Sequence, residues 1–190
     1  MQTIKQVNKT LNEITCLYDN FADQHYDEAR TQREHALQCA ALAEQRGYHK
    51  DLVVAALLHD IGHLIAAQQQ LPELDQQGYC KHSLLGAQWL CAHGFNQHVA
   101  NMIENHVQAK RYLVATDPHY RQKLSPASAK TLVQQGGSLT QAQQITFAAH
   151  ADFKNTILLR RIDDEGKVEG LKTRSFAYWL DYLRDYLSTE

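Results

Sequence analysis

Residues 50–66 read KDLVVAALLHDIGHLIA. Val53, Val54, Leu57, Leu58 and Ile61 recur at helical spacing and give this stretch a wide apolar face, the pattern of a helix that crosses a core. Asp51 falls in the first turn, where a carboxylate suits the positive end of the helix dipole. The pattern predicts one helix over 50–66. In the middle of it sits His59-Asp60, and His63 follows one turn later on the same face. A carboxylate buried alone costs several kcal/mol, so Asp60 needs a cation or a strong hydrogen-bond partner. A metal ion supplies that compensation, because neutral imidazole and carboxylate together suit Fe, Mn, Zn or Ni.

The flanking sequence continues the helical theme. Residues 28–46 are rich in Ala, Glu, Gln, Leu and Arg, all good helix formers, with Ala36, Leu37, Ala40, Leu42 and Ala43 at helical spacing. The polar stretch QQQLPELDQQGYC, with Pro72 and Gly78, reads as a loop. A third helix is expected from Lys81 to Ala92, stopped by Gly94, and a fourth from Gln97 to Lys110. Ser125-Pro126 reads as an N-cap with a first-turn proline, opening a helix to Val133. Gln134 to Gly137 is a loop, and Ser138-Leu139-Thr140 opens a helix to Ala151 or beyond. Asp163-Asp164-Glu165-Gly166 reads as a turn, and 175–187 as a closing amphipathic helix. The expectation is an all-α chain, a single domain over 1–190 with its working core at about 25–170 and helices flanking it.

Composition narrows the function. The chain has 190 residues, 19 Lys+Arg against 21 Asp+Glu, and a net charge of −2. No basic excess drives nucleic-acid or anionic-membrane binding. The longest apolar run, LVVAALL, is short for a bilayer span, and the N-terminal MQTIKQVNKTLNEIT has no signal-peptide pattern. Cys16, Cys39, Cys80 and Cys91 form no C-x-x-C pair, which suits a reduced, cytoplasmic protein. Histidine is abundant, with 11 copies. His35, His59, His82 and His106 fall on different expected helices, which can project them into one interior as bundles do for di-metal sites. His25, His49, His93, His98, His119 and His150 lie in loops, at helix ends or on polar stretches and read as surface residues.

The order H…HD…H…H…D, with the segments EHALQCAALAE, AALLHDIGH, GAQWL, IENHVQAKRYL, LSPASAKTLVQQGG and LRRIDDEGK, resembles the HD-domain superfamily. Within it the chain resembles the phosphonate-cleaving, mixed-valent diiron oxygenases of the PhnZ type, distantly similar to myo-inositol oxygenase. The resemblance implies an HD-domain helical bundle around a di-metal site. It implies two irons in the Fe(II)/Fe(III) state, one held by His35, His59, Asp60 and the aspartate of LRRIDDEGK, the other by Asp60, His82 and His106. Arginine, two residues, then aspartate matches Arg160 and Asp163, which leaves Asp164 in the turn, with Asp152 the nearest rival.

The resemblance also places a substrate-binding lysine at Lys110, one helical turn beyond His106. Arg160 would add a second cation for a phosphonate, and Ser128, Thr131 and Gln135 further contacts. His63 takes a role beside the metals or on the substrate. The family carries Tyr-x-x-Glu ahead of the first histidine, the tyrosine gating the second iron and the glutamate holding the substrate's amine. Here Glu28 stands at the matching distance, but His25 fills the tyrosine's place and Tyr26 comes one residue later, so either residue, or neither, is the gate. The implied reaction is oxygen-dependent cleavage of the C–P bond of a 1-hydroxyalkylphosphonate, 2-amino-1-hydroxyethylphosphonate above all, to phosphate and a carboxylate such as glycine. The partners are then a small phosphonate and O2, with no nucleic acid and no membrane. The competing expectation is a metal-dependent phosphohydrolase acting on a nucleotide or small phosphate ester. A metal-binding or ligand-sensing module without catalysis is the third.

Overall fold

The computed structural model describes residues 2–25, 30–72, 78–169 and 171–189. Along the chain the elements are α1 (Ile4–Phe21), α2 (Gln32–Gln45), α3 (Lys50–Leu58), α4 (Ile61–Gln68), α5 (His82–Ala92), α6 (Gln97–Thr116), α7 (Tyr120–Lys123), α8 (Pro126–Gln134), α9 (Gln141–Ala148), α10 (Phe153–Glu165) and α11 (Phe176–Thr189). No strand occurs among the described residues, so the all-α expectation holds.

The apolar run at 50–66 is two helices, not one. Leu52 to Leu58 are all buried in α3, and Ile61 to Ala66 are all buried in α4. Between them Asp60 leaves helical geometry, with φ −102° and ψ 7°. His59 anchors the junction, its Nδ1 lying 3.0 Å from the carbonyl of Ala56. Lys50–Gln68 as a whole is long and apolar enough by composition to cross a bilayer, yet 78% of its apolar window is buried inside the protein. It is therefore the central element against which the other helices pack. On one side α4 meets α5 through two glycines. A Cβ at Gly62 would fall 1.9 Å from the carbonyl oxygen of His82, and one at Gly86 would fall 3.2 Å from the Gly62 nitrogen. This close crossing brings the start of α5, where His82 sits, against the Asp60 corner.

Other boundaries differ from expectation for local reasons. The first apolar-periodic helix starts at Gln32, not 28, because Thr31 and Glu34 form a capping box that fixes the start. The fourth expected helix runs past Lys110 to Thr116, burying Leu113, and stops where Pro118 pushes Asp117 into extended geometry. The helix opened by Ser138-Leu139-Thr140 ends at Ala148, short of Ala151, and the chain starts again at Phe153 as α10. The expected turn at 163–166 is the last turn of α10, with Gly166 as its C-cap. Arg160 pairs with Asp163 and Asp164 at i+3 and i+4, which offsets the cost of acidic side chains at a helix C-terminus. The outermost pair, α1 and α11, packs Val7, Leu11, Ile14 and Tyr18 with Trp179, Leu183, Tyr186 and Leu187 into the same apolar cluster as α3 and α4.

Candidate functional site

Four imidazoles converge on the α3–α4 corner. His35 comes from α2, His59 from the end of α3, His82 from the first position of α5 and His106 from the middle of α6, and all four are buried. Each ring presents its Nδ1 to a backbone carbonyl: His35 to Gly166 at 3.0 Å, His59 to Ala56 at 3.0 Å, His82 to Tyr79 at 3.1 Å and His106 to Ile103 at 2.7 Å. A carbonyl only accepts, so in each neutral ring the proton sits on Nδ1 and the Nε2 lone pair faces inward.

Those lone pairs meet in twos. The Nε2 atoms of His35 and His59 lie 3.2 Å apart, and so do those of His82 and His106. Asp60 is divided between the pairs. Its Oδ2 is 3.3 Å from His59 Nε2 and 3.9 Å from His35 Nε2, while its Oδ1 is 3.5 Å from His82 Nε2 and 3.7 Å from His106 Nε2. Asp163 completes the first group, with Oδ1 3.3 Å from His35 Nε2 and 3.9 Å from His59 Nε2. Facing lone pairs repel, and two carboxylates at their rim call for positive charge, which a proton on His59 supplies in part and metal ions would supply in full. The donor set of four imidazoles and two carboxylates, with its outward nitrogens already committed, fits a pair of first-row metal ions.

Electrostatics agree. Burial works against a charged His59, but Asp60, by charge and hydrogen bond, Asp163 and the Ala56 carbonyl together hold it up at about 9. Burial and then His82 push His106 down to about 3. Burial opposes ionisation of Asp60 as well, yet His59 and the other surrounding imidazoles keep it well below the usual carboxylate range. Cys39 lies 3.7 Å from His35 Nδ1, but burial, Asp163 and Asp60 push its thiol up, and its Sγ faces the Ile162 carbonyl at 3.7 Å. Its sulfur is also 3.8 Å from His35 Nε2 and stands in one group with the His35 and His59 donor atoms. Asp152 is held elsewhere, its two oxygens taken by His98 at 2.7 Å and Asn101 at 2.8 Å.

Beside the corner opens a cavity lined by the site residues, by Lys110 and Lys167, and by the α8 face of Ser128, Thr131 and Gln135. Lys110 is 3% exposed, and its ammonium donates to the Thr131 hydroxyl at 2.8 Å and toward the Ser128 carbonyl at 3.5 Å. Burial, then the neighbouring Arg160, draw it down to about 7 against the opposing pull of Asp163. Arg160 is occupied on three sides: Nη1 donates to Asp163 at 2.7 Å, Nη2 to Asp164, and Nε to the Tyr120 hydroxyl at 2.9 Å. Lys167 reaches the cavity with Nζ 3.4 Å from the hydroxyls of Ser125 and Ser128. Two carboxylates compensate Arg160, and Lys110 and Lys167 add basic groups to this wall, a chemistry that suits a small dianion.

His63 lines the same cavity. The Tyr79 N–H donates to its Nδ1 at 3.1 Å, which puts the ring proton on Nε2. Burial followed by His82 keeps the ring well below its usual pKa, so it is neutral. The carbonyl of the same Tyr79 receives the His82 ring, and the two rings stack with centroids 3.9 Å apart. This geometry requires Gly78, at φ +75°, because a Cβ there would fall 2.3 Å from His63 Nδ1.

The sequence reading therefore named residues that do come together: His35, His59, Asp60, His82, His106 and Asp163 at the corner, and His63, Lys110, Ser128, Thr131, Gln135 and Arg160 around the cavity. Tyr26 and Glu28 lie outside the described residues. His25 is exposed and is not among the described residues that line the cavity. The sequence reading missed Lys167 and Tyr120 and gave Asp164 only a place in a turn. Lys167 follows the Gly166 C-cap of α10, outside the helix, so no helical spacing marks it. Tyr120, on a four-residue helix, carries no signal either.

Among family models, the HD domain matches residues 33–136. The chain is 39% identical over 178 residues to a hydroxymethylphosphonate dioxygenase of Gimesia maris, covering 89% of this chain and 86% of that protein. It is 35% identical over 164 residues to a 1-hydroxy-2-(trimethylamino)ethylphosphonate dioxygenase (glycine-betaine-forming) of Leisingera caerulea, covering 86% and 82%. An uncharacterized protein of Acanthamoeba polyphaga mimivirus is 36% identical over 186 residues, covering 97% and 85%.

Proposed function

The chain belongs to the HD-domain family, and from that premise we propose that it is a diiron oxygenase that uses O2 to cleave the C–P bond of a 1-hydroxyalkylphosphonate. The observation that carries this reading is the division of one carboxylate, Asp60, between two imidazole pairs beside a lysine-lined cavity. His35, His59, Asp60 and Asp163 would hold one iron and Asp60, His82 and His106 the other, and an Fe(II)/Fe(III) pair bound there would supply the redox chemistry. The chain's own part is binding and orientation. Lys110 and Lys167 neutralise the phosphonate oxygens, the Ser128 hydroxyl gives them a directed hydrogen bond, and Thr131, whose hydroxyl accepts from Lys110 and donates to the Ser128 carbonyl, turns to the substrate by releasing that carbonyl. Arg160 and Gln135 also line the cavity, Arg160 with only the Nη hydrogens that Asp163 and Asp164 leave over. His63, neutral with its proton on Nε2, is a hydrogen-bond donor that does not compete for metal. The overall balance takes one O2 per C–P bond: the hydroxyl-bearing carbon becomes a carboxylate and the phosphonate leaves as phosphate.

Within this class the preferred substrate is 2-amino-1-hydroxyethylphosphonate, with glycine as product. Its support is Glu28, seven residues before His35, whose carboxylate suits an ammonium. The test is anaerobic purification, an iron assay, and measurement of phosphate release with O2 uptake. The panel would be hydroxymethylphosphonate, 2-amino-1-hydroxyethylphosphonate and its trimethylamino analogue. Stoichiometric O2 consumption, fastest with the amino compound, is the expected result. Phosphate release from phosphate esters without O2 uptake would make the protein a hydrolase instead.

A further inference from the structure

Asp163 offers the first imidazole pair only one of its oxygens. Its Oδ1 faces His35, while its Oδ2 is held by Arg160 Nη1 at 2.7 Å. Arg160 is in turn fixed from behind. Asp164 receives Nη2, and the Tyr120 hydroxyl accepts from Nε at 2.9 Å while donating to Asp164 Oδ2 at 2.6 Å. All of these groups except Asp164 are buried, and Asp164's side chain is only 20% exposed. The contacts close a ring from α10 to the short helix α7. A guanidinium is planar, and with three of its edges taken it has little freedom to rotate.

We propose that Tyr120 and Asp164 are positioning residues for the metal centre. They hold Arg160 so that it occupies one oxygen of Asp163 and restricts that carboxylate to a single-oxygen ligand. Asp164 also supplies the second negative charge that balances Arg160. Without it, the full positive charge of Arg160 would act on Asp163 and weaken its donation to a cation. Tyr120 transmits the same constraint from the segment that leads into α8, so the anion-binding wall and the Asp163 ligand share one brace. The inference rests on Asp163 being a metal ligand, as proposed above.

The experiment loads the full chain with Fe(II) anaerobically and follows iron retention under chelator challenge, alongside the melting temperature of the metal-free protein. Asp164→Asn and Tyr120→Phe should each release iron more easily, Asp164→Asn by up to about 10-fold in affinity, the low end of the range for losing a direct partner of a metal ligand, because it acts on Asp163 through Arg160. Tyr120→Phe, which removes one hydroxyl, should show the smaller effect, and its metal-free melting temperature should stay within a few degrees of the parent's. Should Asp164→Asn melt early or fail to fold, Tyr120→Phe decides alone. Unchanged retention in Tyr120→Phe and, where it folds, Asp164→Asn overturns the brace while leaving the metal centre standing, provided that Asp163→Asn loses iron. Unchanged retention in Asp163→Asn overturns both, since there is then no ligand to position.

Discussion

At the scale of single residues, the decisive group is Asp60. Because its two oxygens face different imidazole pairs, Asp60→Ala should remove both metals together, and a variant that keeps two irons per chain would deny it the bridging position. Lys110 has the opposite signature. Among the described residues its ammonium meets a hydroxyl and a carbonyl, so Lys110→Ala should keep its iron and lose substrate affinity by roughly 2–5 kcal/mol, the scale for truncating one partner of a buried charge pair. Its pKa, drawn down to about 7 by burial and Arg160, also fixes the sign of a pH effect. The free enzyme carries the ammonium below that pH and loses it above. A phosphate-type second ionisation near pH 6 is half complete there and nearly complete by about pH 7, so above pH 7 kcat/KM should fall, approaching tenfold per unit by about pH 8 to 9, and Lys110→Arg should flatten that slope because arginine stays charged. A flat profile in the parent would show that Lys110 does not meet the anion. His59 and Asp60 were readable in the sequence because a buried His-Asp pair among apolar neighbours demands compensation, and the other histidines because each falls on its own expected helix; Asp163 was chosen over Asp152 and Asp164 only through the family resemblance. The parts played by Lys167 and Asp164 were not readable, since their positions depend on a helix whose acidic end imitates a turn.

At the scale of elements, the crossing of α4 and α5 sets the distance between Asp60 and His82. Gly62→Ala would drive a methyl group to 1.9 Å from one backbone atom and 2.9 Å from another. Neither can yield as a side chain would. The cost should be at least the roughly 1–3 kcal/mol typical of overpacking, seen as a lower Tm. Iron content should fall toward one per chain as His82 is displaced. Unchanged Tm and iron would mean that the helices slide apart without consequence. The helix types at 81–92, 126–133 and 175–187 followed from caps and periodicity, which are local. The break at His59-Asp60 was not legible, because the apolar residues of 52–58 and 61–66 continue one pattern across it. What interrupts the helix is the His59–Ala56 bond and the geometry of Asp60, both of which serve the site rather than the core.

At the scale of the molecule, one apolar cluster joins the helices that carry the site to α1 and α11, which carry none of its ligands. Trp179 of α11 is fully buried, packed in the apolar cluster with residues of α1, α3 and α4. Trp179→Ala should cost about 3–5 kcal/mol, lowering Tm by roughly 10 °C for a chain of this length, while folded protein retains its iron. Loss of iron at temperatures where the variant is still folded would tie this cluster to the centre. We expect the chain to unfold in one calorimetric transition, as a single domain would. The carbonyl partners of the four rings carry a consequence for how the protein acquires its cofactor. They preset every tautomer, so an arriving ion needs no ring to turn, but they do not favour one ion over another. Imidazole and carboxylate follow the Irving–Williams order, in which Zn(II) and Cu(II) bind more tightly than Fe(II). Selectivity must then come from supply: protein produced in zinc-rich medium should emerge loaded with zinc and inert, and only a change of metal diet, with no change in sequence, should make it an oxygenase.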